Sequence, residues 1–158
     1  MDNSDNGRII AGQNLSLHAK NLNKQSTIAA GNDADIALID DFSIDTDLSA
    51  GHNLSISSQG NISNSHTVTG GNSVIIKAAN ISNQTNGIIQ SNSHTELNAA
   101  DSITNRGLLN SNGTTLIQSG SSITTSVPAV FMVIMWLSVL ITCLIRKKTP
   151  VPKPKRQW

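Results

Sequence analysis

The chain has 158 residues, enough for one domain with a core, but only 13% are charged and 3% aromatic, and the net charge is +1. So little charge, combined with regularly spaced Ile, Leu and Val, argues against a disordered polyelectrolyte. Up to Ser126 the balance is acidic and Tyr is absent, so no basic surface or aromatic platform for nucleic acid is expected.

Residues 1–8, MDNSDNGR, are expected to be disordered. They have neither the basic start nor the apolar run of a signal peptide, so no signal peptide is expected on these residues, and if the protein is exported its export information is missing from them.

From Ile9 to Thr125 the sequence repeats. A small pair marks each unit: Ala11-Gly12, Ala30-Gly31, Ala50-Gly51, Gly70-Gly71, Ser91-Asn92 and Ser111-Asn112, at spacings of 19, 20, 20, 21 and 20 residues. Four and six residues after each mark comes an alternating pair: Leu15/Leu17, Ala34/Ile36, Leu54/Ile56, Val74/Ile76, Thr95/Leu97 and Thr115/Ile117. That is the strand period with one face buried. A second apolar site comes next, at Leu22, Phe42, Ile62, Ile81, Ile103 and Ile123, and a third at Ile28, Leu48, Val68, Ile88 and Leu109. Three short strands per unit are implied. Asn21, Asp41, Asn61, Asn80, Ser102 and Ser122 precede the second site and are types that accept left-handed backbone or close a local Asx turn, and the Gly of the small pair is expected to do the same conformational job at the other corner, where no Cβ is tolerable.

A unit of this kind cannot bury its apolar side chains alone, but stacked on copies of itself it can. The predicted fold is all-β, a parallel β-helix of about six coils of ~20 residues, extending roughly 25 to 29 Å at one strand spacing per coil. Asn at equivalent sites in successive coils is expected to form side-chain ladders, and both ends to expose strand edges.

Beyond Ser126 the composition changes. All four prolines, both tryptophans and the single Cys143 lie there. Cys143 can form no disulfide within the chain and leaves the compartment open. Within residues 126–148, Val127 to Ile145 (VPAVFMVIMWLSVLITCLI, containing Phe131 and Trp136) is nineteen residues without a charge, and Arg146, Lys147 and Lys148 come directly after it. These features predict one membrane-spanning helix with its basic end cytoplasmic. Residues 149–158 form a basic, Pro-rich tail. Two readings of the apolar segment stand open: a genuine anchor, or a shaft reading frame broken inside its sixth coil and running on into unrelated apolar sequence.

Candidate chemistry is sparse. Asp33, Asp35, Asp40, Asp41, Asp45 and Asp47 place six of the ten acidic residues in one coil. Carboxylates so arranged could gather around Ca²⁺ or act as an acid–base pair on polysaccharide. Their spacing fits neither an EF-hand nor a nonapeptide calcium repeat, and no Lys or Arg lies between Lys24 and Lys77, so a solvated acidic stripe is expected. His18, His52, His66 and His94 fall at different offsets within their coils and are not expected to share a metal. The sequons at Asn14, Asn53, Asn61 and Asn80 arise automatically from a repeat written in Asn, an aliphatic residue and Ser. No catalytic residue, metal ligand or cofactor site is expected, and the chain is read as not being an enzyme.

The stretches AGQNLSLHAKNLNKQSTIAAG, AGHNLSISSQGNISNSHTVTGG and NSVIIKAANISNQTNGIIQS, with AGxNLSL and N-[LI]-x-N elements in order, resemble the haemagglutinin repeats of filamentous haemagglutinin-type exoproteins. That group includes the contact-dependent growth inhibition proteins, and the resemblance covers about Ile9 to Ile123. It implies a right-handed β-helical shaft from a bacterial surface protein exported by two-partner secretion. It also implies cell-surface glycans or proteins as partners, adhesion as the role, and an outer-membrane transporter serving the full-length parent. The chain departs from the family in size, in having no secretion domain, and in its sequence beyond Thr124. The alternatives are a small membrane-anchored β-helical surface protein and a β-helical enzyme acting on polysaccharide.

Overall fold

The structure, a computed structural model, describes residues 7–22 and 27–126 together with the backbone of Phe131–Met132. Every regular element in it is a strand, and every pairing is parallel. The strands wind into three parallel sheets that form a solenoid of about six turns.

The longest strands form the first sheet: β2 (Leu15–Ala19), β4 (Ala34–Leu38), β7 (Asn53–Ser58), β10 (Ser73–Ala78), β13 (His94–Ala99) and β16 (Thr114–Ser119). The second holds β5 (Phe42–Ile44), β8 (Ile62–Asn64), β11 (Ile81–Asn83), β14 (Ser102–Asn105) and β17 (Ser122–Thr125). The third comprises β1 (Ile9–Ala11), β3 (Ile28–Ala30), β6 (Leu48–Ala50), β9 (Thr67–Gly70), β12 (Ile88–Ser91), β15 (Leu108–Ser111) and β18 (Phe131–Met132). Each strand pairs with its counterpart one coil away, never with its neighbour in sequence. Strand β1 ends on Ala11 of the first small pair, so the winding begins at Ile9 with a third-sheet strand that the tally of apolar sites does not count.

The register obeys the apolar marks. Leu17, Ile36, Ile56, Ile76, Leu97 and Ile117 stand one above the other, as do Phe42, Ile62, Ile81, Ile103 and Ile123. Nearly all are buried in one continuous core, with Ile117 and Ile123 only half covered at the last coil. In the third column the sequence reading is off by one: Val68 aligns with Ile89, not Ile88, and Ile89 is fully buried. Two adjacent isoleucines satisfy the apolar pattern equally, and only strand pairing decides between them.

The glycine corners also differ from expectation in their cause. Gly31, Gly51 and Gly71 stay outside the left-handed region of φ, so conformational freedom is not what they supply. A Cβ on any of them would instead strike the carbonyl oxygen of the glycine one coil earlier (Gly12, Gly31 and Gly51 respectively). Close approach of stacked backbones is the constraint.

Among the described residues no helix is long and apolar enough to cross a membrane. Of the predicted span, Phe131 and Met132 are strand, paired with Leu109 and Asn110 of β15, so the expected helix is not helical at these two positions. Val127, Trp136, Ile145, Arg146, Lys147 and Lys148 lie outside the described residues.

Candidate functional site

Several of the polar side chains that sequence reading singles out as candidate chemistry are, in the structure, bonded to an adjacent coil. Asp33 Oδ1 accepts from the backbone N–H of Asn53 at 3.1 Å and from its Nδ2 at 2.9 Å, with His52 Nδ1 3.3 Å away. These donors, the Asn53 backbone N–H first among them, hold the Asp33 carboxyl below its ordinary pKa. Asp41 Oδ1 accepts from the backbone N–H and Nδ2 of Asn61 at 2.7 and 3.1 Å. Asp47 Oδ1 accepts from the Thr67 N–H at 3.0 Å. These three aspartates occupy three different corners of coil two, so they do not converge on a common ligand. Asp35 is exposed and meets His18 Nε2 at 3.1 Å. Asp40 accepts from Asn21 Nδ2 at 3.5 Å, and Asp45 is exposed.

Residues expected to close local Asx turns act between coils as well. Asn80 Nδ2 donates to Asn61 Oδ1 at 2.8 Å, and Asn80 Oδ1 accepts from Ser102 Oγ at 2.6 Å and from its N–H at 3.1 Å. A second external series runs along the corner of the small pairs, where Asn32 donates to Asn14 at 2.9 Å and Asn72 to Asn53 at 2.8 Å.

The most constrained polar group lies inside. Asn64, Asn83 and Asn105 are each 1% exposed and occupy one inward column at the end of the short strands. Asn64 Nδ2 donates to Asn83 Oδ1 at 2.9 Å, and Asn83 Nδ2 to Asn105 Oδ1 at 2.8 Å. Asn83 Nδ2 also reaches the carbonyls of Gly87 and Leu108, both at 3.2 Å. The chain of bonds has a direction. At its start Asn64 Oδ1 accepts the His66 N–H at 3.2 Å, and at its end Asn105 Nδ2 is buried without an acceptor, facing Thr125 of the next coil. In a dry interior each such bond must be made, because an unpaired amide costs about 1–3 kcal/mol. The ladder therefore locks adjacent coils at one register.

The histidines stay apart. His52 and His94 meet Asp33 and Glu96 at 3.3 and 3.8 Å, and His66 lies 3.0 Å from Ser65 Oγ. Among the described residues no three His, Cys, Asp or Glu side chains come together as metal ligands would.

One concavity has no counterpart among the sequence expectations. An open groove of about 790 Å³ runs along the C-terminal ends of the long strands, crossing five coils from His18 to Asn98 and Ala100. Small residues, Ala37, Ser57 and Ala79, line it, and Ile39, 50% exposed, and Lys77 border it. The signal in the sequence is Ala37 and Ser57 at successive outward positions between His18 and Lys77, where long polar chains would fill the space.

No protein-family model, curated protein or solved structure matches the chain.

Proposed function

We infer that this chain is a length-building shaft segment, a fragment of a secreted or surface filamentous haemagglutinin-like adhesin. The observation that carries this reading is the use made of polar side chains. Asp33, Asp41, Asn61, Asn80 and the buried column Asn64–Asn83–Asn105 spend their hydrogen bonds on the adjacent coil. A site holds polar groups ready for a ligand, whereas these are committed to continuing the stack. The right-handed winding expected of the family accords with the general preference of parallel strand connections. The role is to hold a binding or toxin-bearing portion away from a bacterial surface. Contacts of the shaft with cell-surface glycans or proteins would run along its flat outer rows and the groove past Lys77.

Modularity tests this reading. Removing residues 51–70, one full coil, should leave a folded particle shorter by about 4.8 Å in small-angle scattering. A chain that unfolds on losing one coil would count against a shaft.

A second reading, a β-helical surface protein anchored through Val127–Ile145, rests on that nineteen-residue uncharged run and the Arg146-Lys147-Lys148 directly after it. Recovery of the intact chain, folded, in the soluble fraction of lysed cells would end it.

A further inference from the structure

Three Asn-Gly dipeptides occur in the chain: Asn6-Gly7, Asn86-Gly87 and Asn112-Gly113. Asn6 lies outside the described residues. In such a pair the backbone nitrogen of the glycine can attack Cγ of the asparagine. An N–C bond forms, ammonia leaves, and the resulting succinimide is opened by water at either carbonyl, giving aspartate or isoaspartate. Glycine favours the step because no Cβ obstructs the approach and its backbone is the most mobile.

The two described pairs are held very differently. Gly87 is buried, and its N–H donates to the carbonyl of Gln84 at 2.8 Å, closing a turn. Its carbonyl accepts from Leu108 N–H at 2.9 Å and Asn83 Nδ2 at 3.2 Å, which ties the peptide to the internal ladder. The attacking nitrogen is thus engaged, and freeing it means disturbing the ladder. Asn112 is exposed, and the Gly113 N–H has only a long bond of 3.3 Å to Ser111 Oγ. This corner leads into β16, whose first residue, Thr114, is exposed and whose other five residues are half covered. Local opening is cheapest where backbone groups are exposed and weakly bonded.

We propose that Asn112 is a site of spontaneous deamidation in the folded protein, reacting through Gly113, while Asn86 is protected by the fold. The consequence is structural. Asn112 Nδ2 donates to Asn92 Oδ1 at 3.4 Å, and deamidation replaces that donor with a carboxylate oxygen facing a carbonyl oxygen. Isoaspartate also adds one methylene to the backbone immediately before β16, whose six residues match β13 one to one from Thr114–His94 to Ser119–Ala99. The added length no longer matches the Thr114–His94 register, so the pairing of β16 with β13 is weakened from its first residue. Ageing at one residue would then loosen the last described long strand.

The test is peptide mapping of the full chain during incubation in mildly alkaline buffer, folded and in urea, with isoaspartate read by enzymatic methyl transfer. In urea the two sites should convert at similar rates; in the folded chain Asn112 should convert at least roughly tenfold faster than Asn86, reflecting the difference in local opening. Hydrogen exchange should show β16 losing protection as conversion proceeds, and Asn112→Gln should keep both the residue and the protection. Comparable rates at the two sites in the folded chain, or conversion of Asn112 without loss of protection in β16, would overturn the proposal.

Discussion

Asn83 receives a hydrogen bond from Asn64 at 2.9 Å and gives one to Asn105 at 2.8 Å, and its side chain is 1% exposed. One amide therefore ties three successive coils together at an interior position where water cannot substitute. Replacing it by the near-isosteric Asn83→Leu leaves Asn64 Nδ2 only its 3.4 Å bond to the Ile88 carbonyl, removes the donor to Asn105 Oδ1 and leaves the Gly87 and Leu108 carbonyls with one bond fewer. A loss of roughly 2–4 kcal/mol is expected in urea denaturation. An unchanged midpoint would mean that the ladder contributes nothing net.

The open end of the same ladder can be completed. Asn105 Nδ2 is buried and unpaired, and the residue in register with it is Thr125. Thr125→Asn places an acceptor there and is expected to stabilise the fold by about 1 kcal/mol, seen as a higher midpoint with unchanged slope. A lower midpoint would show that coil six does not present its inward face at this position.

Glycine at the small-pair corner separates stacking from local conformation. A Cβ at Gly51 would meet the carbonyl oxygen of Gly31, whereas nothing lies within 4 Å of one at Gly12, which has no described coil above it. Gly51→Ala should cost about 1–3 kcal/mol, as overpacking does, and Gly12→Ala almost nothing. Equal effects in thermal melts would point instead to a backbone requirement shared by both.

Acid should loosen coil two first. The Asp33 carboxyl is held below its ordinary pKa by the Asn53 N–H, so it binds a proton less readily folded than unfolded. Its stabilising contribution is complete above the unfolded value, about 3.9, and is lost as pH falls through the lower folded value. Asp33→Asn keeps an acceptor for the Asn53 N–H but cannot titrate. The wild-type advantage over this variant in melting temperature should therefore shrink on going from neutral to strongly acidic pH. A constant difference would show that the carboxylate's charge is irrelevant there.

Much of the solenoid is legible in the sequence because its repeat is one full turn. Leu54 and Ile56 recur as Val74 and Ile76 with the same alternation, and alternation fixes which face is buried. Ile88 stands in for Ile89 in the sequence pattern because adjacent isoleucines leave the phase undetermined without the partner strand. The general expectation of Asn ladders holds, but sequence does not single out the buried members. The clue is that Asn64 lies two residues from Ile62, hence on the same inward face, where a polar type suggests a surface. The aspartates of coil two are equally ambiguous: only the structure places Asp33, Asp41 and Asp47 at separate corners, each beside an N–H of the next coil. The glycines do mark corners, but for a reason other than the expected one, since crowding by a stacked neighbour leaves no local signature in sequence.

The central claim is that successive units of the chain stack in register to build length. Disulfide trapping on the outer face, in a Cys143→Ser background, tests it most directly. Ser55 and Ile75 are register partners, and Ser55 and Lys77 are offset by one same-face position. Partner Cα atoms on adjacent parallel strands lie about 4.8 Å apart and offset ones roughly 8 Å, so only the first pair falls within disulfide reach. Ser55→Cys with Ile75→Cys should oxidise readily to an intrachain disulfide, and Ser55→Cys with Lys77→Cys should remain reduced. Trapping of the offset pair in preference to the partner pair would contradict the stacked register and the shaft built on it.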